Sequence, residues 1–255
     1  MRIVMIGAGR LAWHLAPALR EAGHEVLQVW SRTNESASSL ATRLGAEAVT
    51  SIEEVSRDGD VYICAVKDSV LAALLPTLCK GREDAVFLHT AGSVPLSVFE
   101  GYATHYGVLY PMQTFSKERE LVFRDIPCFI EAVDSESEAV VSSLAHSICR
   151  NVTWLSSADR RHLHLSAVFA CNFVNHCYDL ASELLEPHGI SFETLLPLID
   201  ETARKVHEVR PREAQTGPAL RYDEEVIRAQ SSMLHGRMKE VYEVMSKSIH
   251  ERFED

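Results

Sequence analysis

As far as about residue 156, short apolar runs alternate with stretches whose apolar residues recur every three or four positions; beyond it only the second pattern continues. The short runs predict strands at 3–6, 25–30, 48–49, 61–66, 85–89, 105–109, 128–131 and 152–154, and the periodic stretches predict helices at 11–22, 35–44, 69–79 and 136–149. Repeated strand, helix, strand units imply a mostly parallel, doubly wound sheet, in which ligands gather off the carboxyl ends of the strands. After Ser156 a long helix is expected at 159–186, with Leu163, Ala167, Ala170, Phe173, Val174, Cys177, Leu180, Ala181 and Leu184 at helical spacing and Pro187-His188-Gly189 as its stop signal. A second follows from Ser191 as cap towards Val209, a third from Asp223, and an amphipathic fourth covers 233–253. The expected organisation is an α/β domain at 1–156 and an all-α domain at 157–255. A helix of about 28 residues in so small a domain stays partly exposed if alone, which points to a homodimer formed through the helical domain.

The first strand runs into Gly7-Ala8-Gly9-Arg10-Leu11-Ala12, the way a dinucleotide site begins. Gly7 allows the tight turn, Gly9 lets the backbone approach a pyrophosphate, and Ala12 is small enough for the helix to lie against the sheet, while the amides that open the helix, at Arg10 and Leu11, face the anion. The same spelling also serves a Gly-rich turn that binds no nucleotide. At the end of the second strand, where NAD-selecting proteins place Asp or Glu about 20 residues beyond the glycines, stands Trp30-Ser31-Arg32-Thr33-Asn34. A guanidinium and two hydroxyls suit a 2′-phosphate, so Ser31, Arg32 and Thr33 favour NADP. The blander reading makes Asn34 the cap of the next helix and Arg32 a surface charge, and one turn can serve both purposes. Val66, Lys67 and Asp68, at the end of the fourth strand, fall on the cofactor side, unless Asp68 or Ser69 is there to cap a helix.

Composition narrows the partners. The chain has 255 residues, 46% of them hydrophobic, which gives room for one large or two modest domains. A formal charge of −11 argues against nucleic acid or an anionic membrane as partner. No apolar run approaches the roughly 18 residues of a membrane span, and the first strand opens too early to leave room for a signal or transit peptide. Six cysteines, at 64, 79, 128, 149, 171 and 177, lie in apolar segments without Cys-x-x-Cys spacing and read as reduced core residues of a cytoplasmic protein. His162 and His164 are close, but no histidine pair has a carboxylate in ligand spacing, and no metal is expected.

Six segments recur in a recognisable order: Gly-Ala-Gly-Arg-Leu-Ala at 7–12, Ala-Val-Lys-Asp at 65–68, His-Thr-Ala-Gly-Ser at 89–93, Tyr-Pro-Met-Gln-Thr-Phe at 110–115, Ala-Asp-Arg-Arg-His at 158–162 and Gln-Thr-Gly-Pro-Ala-Leu-Arg at 215–221. Over nearly its whole length the chain resembles a family of largely uncharacterised bacterial proteins with an N-terminal Rossmann domain and a C-terminal helical domain. That family is related to pyrroline-5-carboxylate reductase, ketopantoate reductase, 6-phosphogluconate dehydrogenase and 3-hydroxyisobutyrate dehydrogenase. The chain departs from it at Tyr110, where relatives often carry His, and at Tyr222, where they often carry Gly. The resemblance implies a Rossmann domain followed by an all-α domain of the 6-phosphogluconate dehydrogenase C-terminal-like type. It also implies NADP-dependent hydride transfer to or from a small carbonyl, imine or hydroxy-acid substrate held between the domains.

Hydride arriving at a carbonyl or imine carbon leaves charge on O or N, so a proton donor must stand about 3 Å from that atom. His164, Val168, Asn172 and His176 recur every four residues on the long helix as a polar stripe. The corresponding helix of the related dehydrogenases carries a catalytic Lys or Asn. With no Lys here, Asn172 is the expected substrate-orienting donor and His164 the expected proton donor. The alternative is that these side chains hydrogen-bond across a domain or dimer interface, which for His176 is the better account. His89 would reach nicotinamide or substrate, or else serve its own turn; Gln113 would orient a carboxylate or carboxamide, or else hold its own loop. The missing Lys also leaves room for a non-catalytic NADP(H)-binding sensor or assembly subunit, and fold analogy for a deazaflavin-linked NADP oxidoreductase.

Overall fold

The computed structural model describes residues 1–253; positions 254 and 255 of the expected helical domain lie outside the described residues. Eight strands form one sheet in the order β3-β2-β1-β4-β5-β6-β7-β8. They are β1 (Arg2–Ile6), β2 (Glu25–Trp30), β3 (Glu47–Val49), β4 (Val61–Cys64), β5 (Val86–His89), β6 (His105–Pro111), β7 (Cys128–Ala132) and β8 (Val152–Trp154). Neighbours from β3 to β6 are parallel, β7 runs antiparallel to β6, and β8 is parallel to β7. The connecting helices are α1 (Arg10–Glu21), α2 (Asn34–Leu44), α3 (Asp68–Leu78) and α4 (Ser135–Ile148).

Both faces of the sheet are covered, which is why its strands read as continuous apolar runs rather than alternating ones. In β1, Ile3 and Met5 join a core with Leu15, Leu40 and Leu144, while Val4 and Ile6 join the opposite core with Leu71, Leu75 and Phe99. All four β1 side chains are fully buried. At about 1.5–3 kcal/mol each, they hold the central strand firmly and thereby the turn that follows it.

Two helix details depart from the sequence reading. Thr33, not Asn34, caps α2, its hydroxyl accepting from the Ser36 amide at 3.4 Å. Pro17 lies inside α1, where it cannot donate to the carbonyl of Trp13 one turn back; the Arg43 guanidinium takes that carbonyl at 3.1 Å.

Contacts divide the chain into two compact units, the first running Met1–Cys171 and the second beginning at Asn172. The first includes α5 (Ser157–Ala167), capped by Ser156, whose hydroxyl accepts from the Asp159 amide. In place of one regular helix at 159–186, α5 gives way to a π-helical stretch, Val168–Phe173, and then to α6 (Val174–Leu185). The wider π turn breaks the four-residue phase on which a straight polar stripe depends. The second unit continues with α7 (Leu196–Glu208), α8 (Pro211–Ala214), α9 (Pro218–Arg221), α10 (Glu224–Ser232) and α11 (Gly236–Glu251). Ser191 caps a 3₁₀ turn that precedes α7, Asp223 caps α10 as expected, and α11 starts three residues later than its periodicity suggests. Helices α6, α7 and α11 bury no residue. Among the described residues no helix is long and apolar enough to cross a membrane.

Candidate active site

The carboxyl ends of β1, β2 and β4 meet at a cleft of about 220 Å³. Gly7, Ala8, Gly9, Ser31, Arg32, Val66 and Lys67 line it, with Trp30, Ser36, Ala65 and Val70. The two glycines differ in the space around them. Gly7 sits at φ +119°, and a Cβ there would stand 2.3 Å from the Ala65 carbonyl oxygen, so the fold itself requires glycine. Gly9 has φ −75°, and a Cβ there would meet nothing within 4 Å. The protein leaves that space open, as a cradle for a pyrophosphate requires.

The start of α1 points the same way. It has neither a capping side chain nor an acidic residue in its first turn, whereas Thr33, Asp134 and Ser156 cap α2, α4 and α5. Uncapped amides at the positive end of a helix attract an anion. Arg32 is exposed and, among the described residues, makes no hydrogen bond or ion pair, so its fork is free at the lip. Four of the expected cofactor residues lie outside the cleft lining. Thr33 is engaged with Ser36, Arg10 is exposed, Leu11 packs on the core, and Asp68 turns to Ser93. Ser36, one turn into α2, was missed by the sequence reading, although its spacing from Arg32 places it on the same end of the helix.

From the cleft a line of contacts leads along the strand ends. Lys67 adjoins Asp68, whose carboxylate accepts a hydrogen bond from the Ser93 hydroxyl. Beside Ser93, Gly92 lies against His164: a Cβ at Gly92 would stand 2.5 Å from Nδ1 and 2.9 Å from Cβ of that histidine. His164 Nδ1 is hydrogen-bonded to the Tyr110 hydroxyl at 2.9 Å, the rings meeting edge-on. Burial raises the pKa of Tyr110, against the lowering influence of the Arg160 charge, and Asp68 adds to the rise, so the phenol stays protonated at neutral pH.

What holds His164 there is a buried ion pair one turn earlier. Arg160 is fully buried and donates to the Glu131 carboxylate, to the Val94 carbonyl at 2.6 Å and to the Ser157 hydroxyl at 3.2 Å. Ser157 in turn gives its amide and its hydroxyl to Glu131, at 2.9 and 2.7 Å. Glu131 stands opposite Val108 in the β6–β7 pair. Four residues of helix rise about 6 Å and two residues of strand about 6.6 Å, so α5 climbs beside β6 from Arg160 at the level of Val108 to His164 at the level of Tyr110. Sequence reasoning missed Arg160 and noted Tyr110 only as a departure from relatives. The i, i+4 spacing of Arg160 and His164 was the available signal.

The remaining expected catalytic residues fare differently. His89 is fully buried, stacked on Phe99, with Nδ1 accepting from the Ala91 amide at 3.2 Å. Burial, helped by the Arg160 charge, pushes its pKa down to about 3. The ring has no accessible surface in this conformation, and its Nδ1 is taken by its own turn. Gln113 is exposed and its amide oxygen accepts from Thr114 of the same loop, at 2.8 Å from the amide. Asn172 is exposed and opens the second unit.

The crystal structure of the putative NADP oxidoreductase BF3122 from Bacteroides fragilis is 52% identical to this chain, covers 98% of both chains and superposes with a TM-score of 0.95. The chain belongs to this NADP oxidoreductase family. Residues 2–90 of this NADP oxidoreductase family member match the profile described as NADP oxidoreductase, coenzyme F420-dependent, and residues 126–249 match a domain of unknown function, DUF2520. Pyrroline carboxylate reductase from Plasmodium falciparum, solved with NADP bound, shares the fold at 15% identity over 98% of each chain, with a TM-score of 0.61. The reductive aminase of Aspergillus terreus, solved with NADPH and ethyl-5-oxohexanoate, shares it at 15% identity over 98% of this chain and 94% of its own, with a TM-score of 0.68. No curated protein matches the chain. The expected fold, a Rossmann-like sheet followed by a helical region, is the one these NADP oxidoreductase relatives share.

Proposed function

We propose that this protein is an NADPH-dependent reductase acting on the C=O or C=N carbon of a small molecule, with His164 as proton donor. The observation that carries the reading is the unbroken line of contacts, within one compact unit, from Lys67 in the cleft through Asp68, Ser93 and Gly92 to the His164–Tyr110 pair. Arg32, with Ser31 and Ser36 beside it, would hold a 2′-phosphate, which favours NADP over NAD. When bound, the nicotinamide supplies a hydride to the electrophilic carbon. The electron pair of the C=O or C=N bond moves to the heteroatom, and the imidazolium of His164 delivers a proton there from Nε2. The Tyr110 hydroxyl at Nδ1 keeps the ring turned for that transfer. Kinship with a pyrroline carboxylate reductase and a reductive aminase puts imines first among candidate substrates. Asn172 is proposed as a second, substrate-orienting donor, and a homodimer through the helical unit as the partner that covers α6, α7 and α11.

The first experiment is a fluorescence titration with NADPH and NADH on wild type and Arg32→Ala. NADPH binding that weakens selectively in the variant supports the cofactor, and a panel of imines, keto acids and hydroxy acids then follows, with His164→Ala and Asn172→Ala as controls. Turnover that survives His164→Ala would overturn its role; no binding of either nucleotide would overturn the reductase. A second reading, hydride exchange with a deazaflavin, is favoured by the description of the profile matching residues 2–90. NADPH-dependent bleaching of a 5-deazaflavin separates it from the first.

A further inference from the structure

A second cavity, of about 490 Å³, lies on the helix-covered side of the first unit, bounded by α1, the end of α2, the 117–124 segment and the end of α4. Trp13 forms its wall, with the Arg43 guanidinium 5.0 Å and the Lys117 ammonium 4.8 Å from the ring centroid. Arg43 is held there because Pro17 frees the Trp13 carbonyl that the guanidinium binds. The loop above is pinned too. His14 Nε2 donates to the Ser116 carbonyl at 2.9 Å, and the Phe115 ring packs on His14 and Phe123. The cavity is therefore preformed, and its volume falls in the range of small-molecule sites.

Its charge is out of keeping with the chain. Arg43, Lys117, Arg119 and Arg124 line it against only two carboxylates, Glu21 and Glu120, a surplus of two positive charges on a protein of formal charge −11. Among the described residues none of the four cations is in an ion pair. Cations gathered without carboxylate partners repel one another, and an anion carrying about two charges removes that repulsion. A phosphate monoester carries about −1.5 to −2 near neutral pH and accepts guanidinium forks in bidentate fashion. The ring of Trp13 and the apolar Pro17 and Leu121 would meet the body of such a molecule. We infer that this cavity is a second small-molecule site, independent of the cofactor cleft, for an organic phosphate monoester.

The probes are phenyl phosphate, phenol and inorganic phosphate, titrated calorimetrically into protein saturated with NADPH. Phenyl phosphate is expected to bind once per chain, more tightly than inorganic phosphate, and phenol not at all. Lys117→Ala/Arg119→Ala, and separately Arg124→Ala, should weaken it by roughly tenfold or more, about the loss of one charge-assisted hydrogen bond. Lys247→Ala, a cation that lines neither cavity, should leave it unchanged. Thermal melts confirm that each variant folds. Absence of binding at millimolar phenyl phosphate, equal affinity in the cavity variants, or an equal loss in Lys247→Ala would each overturn the site.

Discussion

Replacing Gly92 by alanine tests the contact on which the His164 reading depends. The backbone at Gly92 lies outside the left-handed region, so an L-residue is tolerated there and the effect is steric alone. The new methyl would stand 2.5 Å from Nδ1, 2.6 Å from Cγ and 2.9 Å from Cβ of His164, where ordinary contact begins at 3.4 Å; ring and Cβ must retreat by 0.5 to 0.9 Å. Turning the ring relieves only part of this, because Cβ is fixed to α5 and α5 is bolted to β7 by Arg160 and Glu131. The helix or the turn has to move, and the 2.9 Å bond to Tyr110 goes with it. A misplacement near 1 Å costs about 10²-fold in rate, which is about 2.7 kcal/mol of barrier, and overpacking costs about 1–3 kcal/mol of stability. Two assays read this out: turnover by loss of NADPH absorbance, and the imidazole resonance of His164, identified by its absence in His164→Gln. The Gly7–Gly9 turn, where we propose the nucleotide binds, is not touched by the substitution, so NADPH affinity should hold within about twofold, well under 1 kcal/mol. Wild-type turnover with an unmoved His164 resonance would refute the reasoning.

Gly7→Ala should fail to fold or melt far lower, because its methyl meets a backbone carbonyl, whereas Gly9→Ala should melt like wild type yet lose NADPH binding; circular dichroism melts and fluorescence titration distinguish the two. Glu131→Gln leaves the Arg160 charge buried without its counter-ion and should cost about 3–5 kcal/mol in urea unfolding. His89 stays neutral in the fold down to a pKa of about 3, while the unfolded chain takes up that proton near pH 6.5. Stability from this source is complete above pH 6.5 and falls as pH drops towards 3, by about 1.4 kcal/mol per unit. Between pH 7 and 5, wild type should therefore lose about 2 kcal/mol more than His89→Gln; parallel losses in urea melts would remove the argument.

The sheet was legible because burial on both faces writes itself into the sequence as unbroken apolar runs, and β1 with its four buried side chains is the clearest case. The Gly7 turn was legible because a positive φ leaves glycine little competition. The partners of His164 were not. Tyr110 lies 54 positions away, and only the antiparallel return of β7 and the climb of α5 bring the two together. Arg160 reads as a solvated helix charge until Glu131 is found opposite it. At His89 the strand end lies under the Phe99 ring, a cover that no sequence pattern announces. The π stretch after Ala167 has no composition signal of its own, so a periodicity that assumes 3.6 residues per turn writes 159–186 as one regular helix.

Most of the stretch between β5 and β7 stands outside both matched segments. The two profiles that match this chain stop at residue 90 and resume at 126, and the gap contains Gly92, Ser93, Tyr110 and the pinned loop with Lys117 and Arg119. Residues that shape the surroundings of His164 thus sit between the two matched segments, the first holding the Gly7 turn and the second the helical region. Replacing residues 91–125 as a block would change what surrounds His164 and leave the Gly7 turn in place.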